Sequence, residues 1–307
     1  MAEKGKITRA LRKSGAAAGG TSRPDQGADA PQTVAGSEAP KAPFRRVEGR
    51  CGQPDPTVVL VHDKWGEAAT QFRAVRSKLL AMNEGEPPRV LTITSGTRKE
   101  GKTTVSLNLA AALCEVTKGR VVVVDGDPRG PGVHLLANAE VDKDMFDILQ
   151  GEKLSLDDAV YETAVPGLDI IPACNITELD GQAGLLANRC EALLSELRRF
   201  YSFIIVDTPP VIASSEACTF GLHSDGALLV ARLEKTSREV TKRAAEELQH
   251  SGTKILGCIL THRQHHVPGA IYRLVGHTPQ YYYQNYRKPG RKKQKEQGED
   301  APAQSPG

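Results

Sequence analysis

Short apolar runs alternate along the middle of the chain with stretches whose apolar residues recur every three or four positions. The runs occupy residues 89–94, 120–125, 168–172, 202–207, 226–231 and 254–260, and the helical stretches lie near residues 103–118, 144–150, 184–199 and 237–250. Continuous valine and isoleucine runs are typical of strands that are buried on both faces. The pattern therefore predicts an α/β fold with a mainly parallel sheet and helices on both of its faces.

The two ends of the chain lack this alternation. Residues 1–56 are rich in Gly, Ala, Pro, Ser and charge, and we expect a disordered basic arm because they offer little apolar area to bury. Order is expected to begin at residues 57–61, and from Trp65 onward the apolar spacing predicts an amphipathic helix. We place the folded domain at residues 57–262 and predict that residues 263–307 form a flexible tail rich in tyrosine and basic residues.

Charge and cysteine content narrow the classes of function. The chain of 307 residues has a formal net charge of +3, and the excess of Lys and Arg lies at the two ends while the middle is mildly acidic. A mildly acidic domain argues against a nucleic-acid-binding face, and basic ends suit either an anionic membrane surface or solubility. The six cysteines include no Cys-x-x-Cys pair, which indicates reduced thiols and neither a zinc site nor a disulfide framework. No apolar run reaches the ~18–20 residues of a membrane span, so we expect a cytoplasmic protein that meets the membrane only through a partner.

One glycine-rich segment carries the strongest chemical signal. It follows an apolar run, precedes a helical stretch and has the pattern Gly-x-x-x-x-Gly-Lys-Thr. The glycines let backbone N–H groups face a phosphate, the lysine neutralises phosphate charge, and the threonine hydroxyl suits Mg²⁺. The pattern predicts a nucleoside triphosphate as ligand. The predicted binding residues are Gly96, Thr97, Arg98, Lys99, Glu100, Gly101, Lys102, Thr103 and Thr104.

Acidic residues stand at the ends of two other predicted strands. Asp125 and Asp127 end one apolar run, and Asp207 ends another. In a parallel sheet these ends converge on the edge where the phosphate loop lies, so Thr103, Asp125 and Asp207 are the candidate Mg²⁺ ligands. A single aspartate after a strand is as often a helix cap or turn residue. The combination with a phosphate loop favours the metal–nucleotide site.

Together these motifs resemble those of the bacterial tyrosine kinases, which accompany capsule and exopolysaccharide synthesis. The resemblance covers about residues 57–286 and includes the Asp-x-Asp-x-Arg-x-Pro-x-x-His pattern of residues 125–134 and the Val-Asp-Thr-Pro-Pro pattern of residues 206–210. It implies a P-loop NTPase fold and an autokinase that uses ATP and Mg²⁺. It also implies a homo-oligomer at the inner face of the membrane, with a transmembrane polysaccharide chain-length regulator as partner. The catalytic residues that it implies are Lys102, Asp125, Asp127 and Asp207.

The C-terminal tail matches the acceptor that this resemblance implies. Tyr281, Tyr282 and Tyr283 are consecutive and Tyr286 follows them, and we expect these four residues to be the phosphoacceptors. Adjacent exposed phenols on a proline-bounded segment have little structural use in a soluble protein. The alternative is a docking peptide that stacks its rings on a partner.

Two arginines in the helix that begins near Trp65 match the family's oligomerisation pattern, Glu-x-x-Arg-x-x-Arg. Arg73 and Arg76 stand at the arginine positions and are the expected oligomer interface, while Thr70 occupies the glutamate position. The phosphate loop departs from the family as well. Its Arg98-Lys99 pair replaces a Pro-Gly pair that relatives often carry, which places two extra cations near phosphate or the next subunit.

Phosphoryl transfer depends mostly on positioning and charge neutralisation. We assign Lys102 to the phosphates, Thr103 to Mg²⁺ and Asp207 to Mg²⁺ or its bound water. A carboxylate near the phenol would accept its proton. The sequence leaves Asp125 and Asp127 open for that role, with Asp125 preferred.

Two other functions are compatible with the same motifs. The first is a positioning ATPase of the MinD/ParA type, against which Thr97 argues, because those proteins carry a lysine at the equivalent place. The second is a non-catalytic scaffold that binds ATP and regulates polymer length through assembly.

Overall fold

The computed structural model describes residues 43–82, 87–150, 153–173 and 182–262. Its centre is one sheet of seven strands. The strands are β1 (Val90–Ser95), β2 (Arg120–Asp125), β3 (Tyr161–Glu162), β4 (Leu168–Ile171), β5 (Tyr201–Asp207), β6 (Gly226–Arg232) and β7 (Ile255–Thr261).

Helices cover both faces of this sheet. They are α1 (Val59–His62), α2 (Glu67–Leu80), α3 (Lys102–Cys114), α4 (Val133–Leu136), α5 (Met145–Gln150), α6 (Gln182–Leu197), α7 (Glu216–Leu222) and α8 (Arg238–His250). Among these helices, none combines the length and the apolarity that are needed to cross a membrane.

The strands follow the spatial order β3-β4-β2-β5-β1-β6-β7. Every neighbouring pair is parallel except β3 with β4, which is antiparallel. The predicted mainly parallel sheet is therefore confirmed. The register of β2 on β5 pairs Asp125 with Asp207, so the last residues of the two strands lie side by side at the carboxyl edge.

Apolar side chains alternate between the two faces of the central strands. On β2 and β5, one set contributes to a core with α5 and α6, and the other contributes to a core with α2 and α3. The first set is Val122, Val124, Ile204 and Val206, and the second is Val121, Val123, Phe203 and Ile205. Burial on both faces explains why these runs contain so few polar residues.

Residues 43–56 belong to the folded domain, which corrects the predicted start of order at residue 57. Val47 forms a parallel bridge with Tyr161 of β3. Phe44 packs edge-on against Phe200, with the ring centroids 5.4 Å apart. These two apolar side chains stand among glycines, prolines and charges, and the average composition of the segment concealed them.

Arginines fasten the same segment to loops beside β3. Arg45 Nε lies 2.6 Å from Asp158 Oδ1, and Arg50 Nη2 lies 2.9 Å from Asp142 Oδ2. The remainder of the predicted arm and the predicted tail lie outside the described residues.

Candidate active site

The phosphate loop connects β1 to α3 at the carboxyl edge of the sheet. Gly101 directly precedes α3 with a φ of +92°, a left-handed value that favours glycine. Gly96 lies against α8, and a Cβ atom added there would be 2.6 Å from Cγ1 of Val240. The first glycine of the motif is therefore required by close packing, and the second by backbone conformation.

Three consecutive side chains of the phosphate loop are exposed, and the one that follows them is buried. Thr97, Arg98 and Lys99 are exposed, and within the described ranges neither cation forms an ion pair. Glu100 is buried, and its Oε2 accepts the backbone N–H groups of Gly96 and Thr97 at 3.2 and 3.4 Å. The two cations are thus available to an anion, whereas Glu100 points into the loop.

The start of α3 carries the lysine and the hydroxyls of the site. Lys102 is only 9% exposed. Thr103 Oγ1 donates to Asp207 Oδ2 at 2.6 Å, and Ser106 Oγ donates to Asp207 Oδ1 at 3.1 Å. Sequence reasoning missed Ser106, although its spacing of three residues from Thr103 places both hydroxyls on one face of the helix.

Asp207 is a buried carboxylic acid among polar partners. Burial raises its pKa to about 6. The charge of Lys102 and the hydroxyls of Thr103 and Ser106 act in the opposite direction, but burial outweighs them. A bound cation would favour the charged form of this carboxyl.

Asp125 is held by the loop that follows it. Its Oδ2 accepts the N–H groups of Gly132 and Val133, each at 3.0 Å, and its Oδ1 accepts the N–H of Asp127 at 3.1 Å. Burial and then the charge of Asp207 raise the pKa of Asp125 well above its usual range despite these bonds. The Asp-x-Asp-x-Arg-x-Pro-x-x-His segment of residues 125–134 therefore orients Asp125 through its own backbone.

Asp127 and Arg129 project from the same loop. Asp127 is partly exposed. Arg129 Nη2 pairs with Glu216 Oε1 at 3.1 Å, and its Nη1 donates to Ser214 Oγ. Glu216 is a buried residue at the start of α7 that sequence reasoning missed, since this helix of 7 residues is too short to show a clear apolar period.

These groups fit a Mg²⁺ ion that binds together with a nucleotide. The hydroxyl of Thr103 and the carboxylate of Asp207 meet beside the phosphate loop, and both are oxygen donors of the kind that Mg²⁺ prefers. Asp125 and Asp207 are neighbouring buried acids, both with raised pKa values. A divalent cation would compensate the charge that burial opposes.

Comparisons with known proteins show the family to which the chain belongs. A family model described as AAA domain matches residues 91–256. The tyrosine-protein kinase YwqD of Bacillus subtilis is 30% identical over 191 residues, which cover 62% of this chain and 79% of that protein. The chain belongs to the bacterial tyrosine kinases. The tyrosine-protein kinase CpsD of Streptococcus agalactiae is a further relative, 29% identical over 62% of this chain and 81% of its own length.

Solved kinase domains of this family share the fold. The kinase domain of the Escherichia coli tyrosine kinase ETK matches with a TM-score of 0.60 and 27% identity, covering 69% of this chain and 84% of that one. The VpsO kinase domain matches with a TM-score of 0.57 and 30% identity, covering 64% of this chain and 95% of that one. Other relatives are longer: the chain spans 26% of the tyrosine-protein kinase ptk of Acinetobacter johnsonii, at 28% identity.

The arginines expected at the kinase family's oligomer interface bind a glutamate of their own chain. Arg73 Nε and Nη2 contact the two carboxylate oxygens of Glu115 at 2.8 and 2.6 Å. Arg76 Nη1 donates to Glu115 Oε2 at 2.8 Å and to the carbonyl of Ala112 at 2.9 Å. Glu115 follows the last residue of α3, so this cluster joins α2 to the helix of the phosphate loop.

The predicted phosphoacceptors Tyr281, Tyr282, Tyr283 and Tyr286 lie outside the described residues. Tyr161 and Tyr201 are the tyrosines of the described part, and both are buried in the sheet. A buried phenol is out of reach of another chain's active site. The tail therefore remains the predicted source of acceptors for a tyrosine kinase of this sequence.

Proposed function

We propose that the chain is an ATP-dependent protein-tyrosine autokinase, which transfers phosphate from Mg·ATP to the tyrosines of its C-terminal tail. Membership of the bacterial tyrosine kinases supports this activity. The observation that carries the proposal is the contact of Thr103 with Asp207, 2.6 Å long, beside the phosphate loop. It joins the hydroxyl of the loop to an acid whose sheet neighbour, Asp125, is the proposed proton acceptor.

Binding of the phosphate donor is assigned to the loop and the start of α3. Loop N–H groups and Lys102 hold the phosphates, and the exposed Arg98 and Lys99 add positive charge. Thr103 and Asp207 hold Mg²⁺. When bound, Mg²⁺ neutralises the charge that develops on the phosphates during transfer.

Asp125 is the proposed acceptor of the phenolic proton. A tyrosine phenol has a pKa near ~10 and loses its proton late in a loose transfer, so a positioned carboxylate suffices. Three backbone N–H groups fix the orientation of the Asp125 carboxylate beside Asp207. In single-turnover assays we expect Asp125→Asn to lose more of the transfer rate than Asp127→Asn. A larger loss for Asp127→Asn would assign the proton to Asp127.

Transfer is proposed to occur in trans within a homo-oligomer, with Arg73 and Arg76 at the interface. We propose that a transmembrane polysaccharide chain-length regulator gathers the subunits at the cytoplasmic face of the membrane. In this proposal, tail phosphorylation regulates exopolysaccharide or capsule synthesis and chain length. The family resemblance supports this part of the proposal.

Phosphate mapping tests the activity. Wild type and Lys102→Met are produced in cells that lack other tyrosine kinases, incubated with Mg·ATP and mapped by mass spectrometry. We expect phosphate on tail tyrosines of the wild type and none on the variant, because the variant lacks the cation that neutralises the phosphates. Tail phosphorylation that persists in Lys102→Met contradicts the catalytic assignment.

The same assay distinguishes the other two functions. ATP hydrolysis without phosphotyrosine indicates a positioning ATPase of the MinD/ParA type. Binding of ATP with neither hydrolysis nor transfer indicates a scaffold.

A further inference from the structure

The carboxylate of Glu100 is buried inside the phosphate loop, where it accepts hydrogen bonds from four donors. Oε2 accepts the N–H groups of Gly96 and Thr97 at 3.2 and 3.4 Å, and Oε1 accepts the hydroxyls of Thr97, at 2.8 Å, and of Thr236. A carboxylate that carries no proton acts only as an acceptor, and its two oxygens can accept all four of these hydrogen bonds. Because a buried charge is costly unless its lone pairs are satisfied, the loop conformation that supplies these donors is favoured.

Thr236 links this carboxylate to another part of the sheet edge. It lies in the connection between β6 and α8, where its oxygen accepts the N–H of Arg232 at 3.0 Å. Its single proton goes to Glu100. The hydroxyl is therefore held in one orientation, and the phosphate loop is joined to the β6–α8 connection.

Thr261 binds the backbone of the same glutamate. This last residue of β7 donates its hydroxyl to the Glu100 carbonyl at 2.7 Å. Its methyl carbon lies 3.5 Å from the position that a Cβ atom would take at Gly101. Glu100 is thus held at its side chain by one connection of the sheet and at its backbone by the end of another strand.

We propose that Glu100 is a positioning residue for nucleotide binding, and that Thr236 and Thr261 act through it to keep the phosphate loop in its binding conformation. The inference rests on the proposed function, since it concerns how the loop holds the phosphates of ATP. Glu100 engages the first two N–H groups of the loop from inside, which leaves the later N–H groups and Lys102 for the ligand. Without the hydrogen bond from Thr236 the loop would adopt other conformations, and the free energy needed to order it again would weaken nucleotide binding.

Calorimetric titration of the full-length protein with Mg·ADP tests the role of Thr236. Thr236→Val removes the hydroxyl at nearly constant shape, and Thr236→Ser restores it. Thr241→Val is the matched control, because Thr241 is a half-buried residue of α8 whose hydroxyl donates to the carbonyl of Ser237 at 3.0 Å, away from Glu100. We expect Thr236→Val to weaken Mg·ADP binding about tenfold, the loss of one hydrogen bond to a charged group, while the other two variants bind like wild type.

A second variant and a kinetic measurement distinguish positioning from general stability. Glu100→Gln places an NH₂ group among four donors, and we expect it to weaken Mg·ADP binding at least as much as Thr236→Val does. In autophosphorylation assays Thr236→Val should raise the KM for ATP and leave kcat at saturating ATP unchanged, because bound nucleotide orders the loop again.

The outcomes separate this inference from the proposed function. Thr236→Val or Glu100→Gln with wild-type affinity overturns the inference, as does an equal loss of affinity in Thr241→Val. If the wild type itself does not bind Mg·ADP, the proposed function fails.

Discussion

Asp125 and Asp207 determine the electrostatics of the site. They are neighbours in the register of two central strands, and both are buried. Burial opposes the charge of each acid more strongly than its hydrogen bonds favour it, so both pKa values lie above their usual range. Ionising these two acids in the folded protein therefore carries an electrostatic cost, which a bound cation would relieve.

Asp207→Asn is expected to stabilise the nucleotide-free protein and to abolish phosphoryl transfer. The pKa of Asp207 is raised from 3.8 to about 6. Charging it in the folded state therefore costs roughly 3 kcal/mol at neutral pH, a cost that asparagine lacks. Denaturant unfolding of both proteins at neutral pH measures the difference. A variant no more stable than wild type contradicts the assignment of a costly buried charge.

The difference in stability between the wild type and Asp207→Asn should depend on pH in a defined direction. Between pH 3.8 and about 6 the unfolded chain has released the Asp207 proton while the folded protein retains it. The stability of the wild type should therefore fall relative to Asp207→Asn as pH rises through this window. Unfolding curves of both proteins across this pH range measure the difference in their free energies of unfolding. A wild type that gains stability relative to the variant as pH rises is incompatible with a raised pKa.

Mg·ADP binding should also depend on pH. Asp207 is the proposed Mg²⁺ ligand and would have to be ionised to bind the ion, so affinity is expected to rise as pH increases through about 6. Calorimetric titrations at several pH values test this expectation, with metal-free ADP as the control. Equal pH dependence with and without Mg²⁺ contradicts a metal role for Asp207.

Helix α2 is joined to α3 through Glu115, whose carboxylate forms ion pairs with both Arg73 and Arg76. Arg76 is 13% exposed at its side chain, and Arg73 is 23% exposed. The two guanidinium groups thus have an internal partner close to the phosphate-loop helix. Contacts with a second subunit would use the parts of Arg73 and Arg76 that Glu115 leaves accessible.

Replacing Arg73 and Arg76 together by alanine should lower the oligomer mass measured by light scattering. Glu115→Ala is the matched control, because it removes the partner within the chain and leaves both arginines in place. We expect the mass to fall in the double variant and to remain at the wild-type value in the control. An unchanged mass in the double variant contradicts the interface role. An equal fall in both proteins shows that the packing of α2 on α3 controls assembly, and that too contradicts a direct contact.

The segment of residues 43–56 stabilises the antiparallel end of the sheet. Removing residues 1–42 should leave the melting midpoint unchanged, whereas removing residues 1–56 also deletes Phe44 and Val47 and exposes the edge of β3. We expect the longer truncation to lower the midpoint by roughly 5 °C, since it removes apolar burial and several ion pairs. Calorimetry measures both proteins. Equal midpoints would show that the segment adds nothing to stability.

Local patterns predicted the parts of the site that are continuous in sequence. The strand, glycine loop and helix around Lys102 are adjacent in the chain, and the parallel sheet then places Asp125 beside Asp207. Pairings between distant residues were not predictable in this way. Arg73 and Glu115 are 42 residues apart, and Arg129 and Glu216 are 87 apart, so tertiary packing alone selects the partner. The inward direction of Glu100 has the same origin, because its partner Thr236 is 136 residues away.

At the scale of the whole chain, the proposed catalytic site belongs to the described domain and the predicted acceptors lie outside the described residues. The site lies at the carboxyl edge of the sheet, and the tyrosines within the described domain are buried. The predicted acceptors follow β7, outside the described residues, in a part of the sequence that also contains Arg287, Lys288, Arg291, Lys292, Lys293 and Lys295. A reaction between chains should accelerate with protein concentration, and phosphorylation should reduce the positive charge of the acceptor segment.

Mixing two complementary variants tests the central claim most directly. Lys102→Met supplies acceptor tyrosines without catalysis, and a chain with Tyr281, Tyr282, Tyr283 and Tyr286 all changed to Phe supplies catalysis without those acceptors. After incubation with Mg·ATP, mass spectrometry reads phosphotyrosine on the tail of the Lys102→Met chain. The account predicts none on either variant's tail at those four positions when it is incubated alone, and phosphate on the Lys102→Met tail in the mixture, at a rate that rises with the concentration of the partner. An unphosphorylated Lys102→Met tail in the mixture contradicts transfer between chains, and an unphosphorylated wild-type tail under the same conditions contradicts the kinase itself.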